Sequence, residues 1–206
     1  VPERPKPKGD GPDFKWLMEE SKHLASLIGV SSKQIFEIFK AGTDWEFIIK
    51  MDALLEAASK AVVKAALANE YLDADDMDEF VDALPMRGRT SILKLLQASG
   101  CGDAERNLID SVRVLRNGFA HDITQMEMSL IDVIKGRKDR TTLLRGLCWI
   151  KEYEEAALIK MYEKDGGLFR FGIVSGALTF MIAAYHSVIK QPEDPVAIGP
   201  ETPPAS

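Results

Sequence analysis

The stretch Arg116-Asn117-Gly118-Phe119-Ala120-His121-Asp122 gathers the residue types best suited to chemistry in this chain. A guanidinium is permanently charged and presents a planar fork of N–H donors that fits carboxylate or phosphate oxygens. An imidazole titrates near neutrality and can give or take a proton there. Arg116 follows Val112 by four residues and Ile109 by seven, so it continues an apolar helical row. A guanidinium on that border is half buried and needs an anionic or carbonyl partner. His121 falls where the helix is expected to end, because Asn117 and Gly118 weaken its last turn. The residues alone leave two readings open. Arg116 and His121 could converge on one spot and form a site. Alternatively, Arg116 pairs with a buried acid such as Asp52 or Glu56, and His121 caps carbonyls at the helix end.

Two other constellations compete with this one. Residues 24–40 carry Ala25 and Gly29 four apart, then Val30, Ile35 and Ile38, a spacing that resembles a DNA-binding helix-turn-helix. The face that would read bases holds Ser31, Ser32, Phe36, Glu37 and Lys40, poor partners for a phosphate-lined groove. Two ordinary packed helices are therefore the expectation. Residues 70–82 hold seven acids and no base. They lack the glycine and ligand spacing of a calcium loop, so a solvated helix start is expected rather than a metal site.

The elements that must position these residues read almost entirely as helix. Apolar spacing gives helices over about 14–27, from Ser31 or Ser32 to Phe39, and from Thr43 or Asp44 to about Tyr71. The third carries Trp45, Ile48, Leu55, Ala58, Val62 and Ala65 on one face. An acidic helix is expected over 74–83 and a short one from Thr90 to Ala98. Asp103 is expected to cap a helix running to about Ala120 through Leu108, Val112, Leu115 and Phe119. A short helix near 126–134, a long one over 139–164 stopped by Gly166-Gly167, and a last one over 168–190 complete the set. No sustained two-residue alternation suggests a strand. The class is all-α, with one domain over 14–190, of which 14–40 is an N-terminal helical extension. Residues 1–13 and 191–206 are Pro-rich tails, expected to be disordered. Residues 171–189 contain no Asp, Glu, Lys or Arg, and are expected to be a central buried helix rather than a membrane span.

With the helices placed, the motif and the residues before it, LPMRGRTSILKLLQASGCGDAERNLIDSVRVL, resemble the HEPN superfamily of small α-helical domains. The nearest likeness is to the mannitol-operon repressor (MltR-like) branch, and it covers roughly residues 35–190. The resemblance implies an antiparallel helical bundle that forms a homodimer. It also implies a metal-independent endoribonuclease with no cofactor, in which two copies of Arg116, Asn117 and His121 form one composite catalytic site. The 2′-hydroxyl of RNA would attack the adjacent phosphorus, with His121 as general base or acid. Arg116 would stabilise charge on the phosphoryl oxygens, and Asn117 would orient the pair. RNA contacts are expected from Arg87, Arg89 and Arg113. The repressor-like branch implies an alternative, a non-catalytic regulatory protein acting through protein partners or in transcription regulation. A protein partner, either an antitoxin or a regulator, belongs to these expectations.

Composition bounds both readings. The 206 residues are 46% hydrophobic, enough for a core, and 26 bases against 32 acids give a net charge of −6. A broadly basic nucleic-acid binder is excluded. A local basic cleft is not, because residues 86–145 carry eleven Lys and Arg against seven acids. The two cysteines, Cys101 and Cys148, exclude a disulfide scaffold and a cysteine-based zinc cluster. Free thiols and the lack of a signal-peptide pattern lead us to expect a cytoplasmic protein.

Overall fold

In the computed structural model, residues 22, 25, 26, 28–67, 74–148 and 154–189 are described. They form an all-α bundle, with no strand among the described residues. The helices are α1 (Ser32–Phe39), α2 (Asp44–Leu67), α3 (Ala74–Ala83), α4 (Ile92–Ala98) and α5 (Asp103–His121). A 3-10 turn (Ile123–Gln125) follows, then α6 (Leu130–Lys135), α7 (Arg140–Leu147), α8 (Glu155–Lys164) and α9 (Gly166–Ile189).

Local chemistry sets most of these boundaries. Ser31 begins α1 with a capping box, its hydroxyl accepting from Gln34 N–H while Gln34 Oε1 accepts from Ser31 N–H at 2.7 Å. Gly29 precedes it at φ 67, where a side chain would be strained, and Val30 N–H closes that turn on Ala25 O at 2.9 Å. Thr43 caps α2, accepting from Glu46 N–H at 3.1 Å. Gly100, at φ 87, ends α4 with the paired bonds Cys101 N–H to Leu96 O and Gly100 N–H to Gln97 O.

The core sits where α2 and α5 pack together, with α9 across both and α7 against α5. Phe47, Ile48, Met51 and Leu55 of α2 meet Leu108, Val112, Leu115 and Phe119 of α5, all buried. Gly146 lets α7 approach α5 closely. A Cβ there would lie 2.9 Å from the Asn107 carbonyl oxygen and against Ser111 Oγ. Asp44 ties three distant segments together. Its Oδ2 accepts from Leu130 N–H at 2.5 Å, and its Oδ1 from Arg170 Nε at 2.6 Å. Arg170 also donates to Ala41 O and lies over the Phe47 ring.

Several boundaries differ from expectation. The helix expected over 139–164 is two. Cys148 leaves α7 in an extended conformation, and α8 returns so that Tyr162 donates to Cys148 Sγ at 3.1 Å. The expected end at 164 holds, with Asp165 extended after Lys164, but Gly166-Gly167 do not make it. They begin α9, with Asp165 accepting from Leu168 N–H. α4 begins at Ile92, capped by Ser91, rather than at the expected Thr90, and Gly102 rather than Asp103 occupies the cap position of α5. The expected end of α2 near Tyr71, the helix over 14–27 and both tails lie wholly or largely outside the described residues. Among those residues, no helix is long and apolar enough to cross a membrane. α9 buries Ile173, Ala177, Leu178 and Phe180 in the bundle. In the helix-turn-helix candidate, Ile35 and Ile38 are buried and Glu37 pairs with Lys40 at 2.8 Å. The side chain of Phe36 lies outside the described set.

Candidate functional site

α5 carries the motif on its last turns. Its buried row, Leu108, Val112, Leu115 and Phe119, fixes the rotation of the helix, so Arg116, Asn117 and His121 fall outside the core. The Arg116 side chain is 42% exposed. Its Nη1 donates to Asn117 Oδ1 at 3.2 Å, and its Nε lies 3.6 Å from Asp52 Oδ2. That last separation is longer than a hydrogen bond.

The strong partner of the α2 carboxylates is Arg113, one turn earlier. Its Nη1 lies 2.8 Å from Glu56 Oε2 and 3.4 Å from each oxygen of Asp52. Asp52 is buried, and this desolvation pushes its carboxyl above the usual range, against the pull of Arg113 and Arg116. Burial also acts on Glu56, but hydrogen bonds from Arg113 and Lys60 outweigh it and hold that carboxyl below the usual range. The acid pairing expected for Arg116 is thus made mainly by Arg113. Arg113, expected to contact RNA, is engaged within its own chain.

His121 is exposed and is the last residue of α5. The helix continues through it, because Asp122 N–H still reaches Gly118 O at 3.1 Å. That same bond takes the Gly118 carbonyl, so no cap by His121 is among the described contacts. At 3.6 residues per turn, positions five apart point about 140° away from each other. Arg116 leans toward α2, and His121 faces elsewhere. The two do not converge within one chain.

Arg137 reaches the motif instead. Its Nη1 lies 3.5 Å from where a Cβ on Gly118 would stand, one turn before His121. Asp139 holds that guanidinium at 2.8 and 2.9 Å, which raises its pKa. Sequence reasoning counted Arg137 only as a flanking charge. The available signal was Gly118 itself, since a glycine inside a helix calls for a packing reason. Asp122 does not hold His121. Its carboxylate accepts from the Thr124 hydroxyl, the Gln125 amide and Thr124 N–H, which lower its pKa. Beyond it, Ile123 is 77% exposed and Met128 41% exposed.

The remaining expected RNA contacts divide. Arg87 makes a two-point pair with Asp110 of α5, at 2.8 and 3.0 Å. Arg89 is exposed in the loop before α4, with no ion pair or hydrogen bond of its side chain among the described residues. No group of three or more His, Cys, Asp or Glu among the described residues could hold a metal. In the acidic α3, Asp78 and Asp82 pair with Lys64 at 3.3 and 3.0 Å. No family model, curated protein or solved structure matches this chain.

Proposed function

We infer that this protein is a dimeric endoribonuclease of the HEPN type, cutting RNA without a metal through Arg116, Asn117 and His121. One observation carries the reading. All three side chains stand outside the core, although Leu115 and Phe119 beside them are fully enclosed. His121 has the exposure a general acid–base needs, and Asn117 already holds the Arg116 guanidinium. Arg116 is tied to Asp52 only at 3.6 Å, so it can turn to a phosphate. Because Arg116 and His121 diverge on one helix, the working pair is Arg116 of one copy with His121 of another. His121 takes the 2′-hydroxyl proton as that oxygen attacks phosphorus. The 5′-oxygen leaves with a proton from the second His121, giving a 2′,3′-cyclic phosphate and a 5′-hydroxyl.

Purified protein should cleave RNA in EDTA, and His121→Ala should abolish the activity while leaving the helical content unchanged. Equal cleavage by the variant, in preparations free of contaminating nuclease, refutes the reading. The exposed Ile123 and Met128 beside the motif favour a second one, a regulatory protein that docks a protein partner there. That reading predicts no cleavage, and loss of partner binding in Ile123→Asp.

A further inference from the structure

We propose that the cavity between the Arg87–Ser91 loop, α4 and the first half of α5 is a phosphate-binding site, separate from the Arg116–His121 motif. It is an open pocket of about 230 Å³, well above the ~30 Å³ share of one water. Arg87, Lys94 and Arg106 line it against a single carboxylate, Asp110. That excess of positive charge stands in a chain whose net charge is −6. Gln97 and Asn107 add neutral amide donors, while the Ser91 hydroxyl is spent on Gly88 O, and Leu93 is the one apolar side chain in the lining. The surroundings therefore suit a small, multiply charged oxyanion rather than an apolar ligand.

The three cations are arranged differently, and each arrangement leaves donors over. Asp110 grips Arg87 at two points and so fixes the plane of that guanidinium on the cavity wall. Lys94 has only a long bond, 3.3 Å, to Gln97 Oε1. Arg106 is the least satisfied. Its Nη2 pairs with Asp103, whose side chain is 84% exposed and therefore a weak partner. Its Nε is buried with no acceptor. A buried N–H without a partner is an unfavourable arrangement that calls for a reason. An oxyanion in the cavity supplies it, because Arg106 can turn its fork from Asp103 to two phosphate oxygens. Lys94 and Arg87 then neutralise the remaining charge. A free phosphate and a phosphate carried on an RNA backbone share this chemistry.

The proposal stands without the ribonuclease reading and is tested apart from it. Inorganic phosphate and pyrophosphate are titrated into the full chain by calorimetry at fixed ionic strength. An RNA oligonucleotide is titrated in parallel. Arg106→Gln and Lys94→Gln should each weaken binding about tenfold or more, whereas Lys138→Gln, outside the cavity, should not. Loss confined to phosphate and pyrophosphate identifies a small phosphate compound as the ligand, and loss confined to RNA identifies the backbone. The oligonucleotide carries 2′-O-methyl groups, which leave no hydroxyl for the proposed cleavage, so failure of cleavage and failure of this site remain distinguishable. If neither variant differs from the parent toward any of the three probes, with unchanged melting temperatures, the proposal is overturned.

Discussion

Replacing Arg113 with Gln isolates the contact between α2 and α5 beneath the motif. The change removes the 2.8 Å bond to Glu56 and both 3.4 Å contacts to Asp52. Asp52 is then left buried, with Arg116 Nε at 3.6 Å as its nearest described cation. Removing one partner of a fully buried pair costs about 3–5 kcal/mol. The Arg113 side chain is 22% exposed and Glu56 33%, so solvent offsets part of this, leaving roughly 2 kcal/mol. For a chain of this size that is a fall of roughly 4–8 °C in melting temperature. The penalty also depends on pH. Burial raises the Asp52 carboxyl, and losing Arg113 raises it further, so the folded variant favours the protonated form. That preference stabilises the variant at low pH and is lost as pH rises through the folded pKa. Glu56, held low in the parent, contributes stability above its ordinary range that the variant lacks. Both effects make the penalty full at pH 7 and shrink it as pH falls toward the unfolded carboxylate range near about 4. Urea melts at pH 7 and pH 4.5 measure it directly. A loss below about 0.5 kcal/mol at pH 7, or an equal loss at both pH values, refutes a structural role for Arg113.

Two further perturbations probe the packing around the site. Gly146→Ala places a Cβ 2.9 Å from the Asn107 carbonyl and should destabilise by about 1–2 kcal/mol in a denaturant melt, despite alanine's better helix propensity. Adding Ser111→Ala should recover only part of that loss, since the carbonyl remains. Burial pushes both thiols, Cys101 and Cys148, up to about 11, so native protein at pH 8 should react with a disulfide reagent at least tenfold more slowly than in urea. Rapid labelling of both in the native state contradicts that burial. The same raised values favour the fold below the ordinary thiol range, and that contribution is lost as pH rises through about 11.

The helical class and most helix starts were legible because they depend on local chemistry. Ser31 with Gln34 is a cap that spacing reveals, and the acidic helix keeps its expected bounds of 74 and 83. The break after Cys148 was hidden for a physical reason. Leu147 and Leu158 stand eleven residues apart, three helical turns, so the apolar row stays in phase across the gap. Gly166-Gly167 misled because a glycine pair usually ends a helix, whereas Asp165 before it serves as the start of the next. At the motif, the sequence showed a guanidinium near the helix border and acids on α2. It could not tell which of two arginines one turn apart faces them, because that depends on the rotation of α5 against α2.

Asp44 joins residues 44, 130 and 170 through two side-chain oxygens. That contact spans most of the described chain, so it forms only after a long loop has closed. During synthesis, α2 and α5 leave the ribosome well before Arg170 does. Until α9 arrives, the Phe47 side of α2 has no cover and Asp44 lacks its cation. The early-made half of the bundle is thus an incomplete unit awaiting its last helix. A chain cut before Gly166 should expose that apolar surface and aggregate, rather than persist as a smaller folded domain.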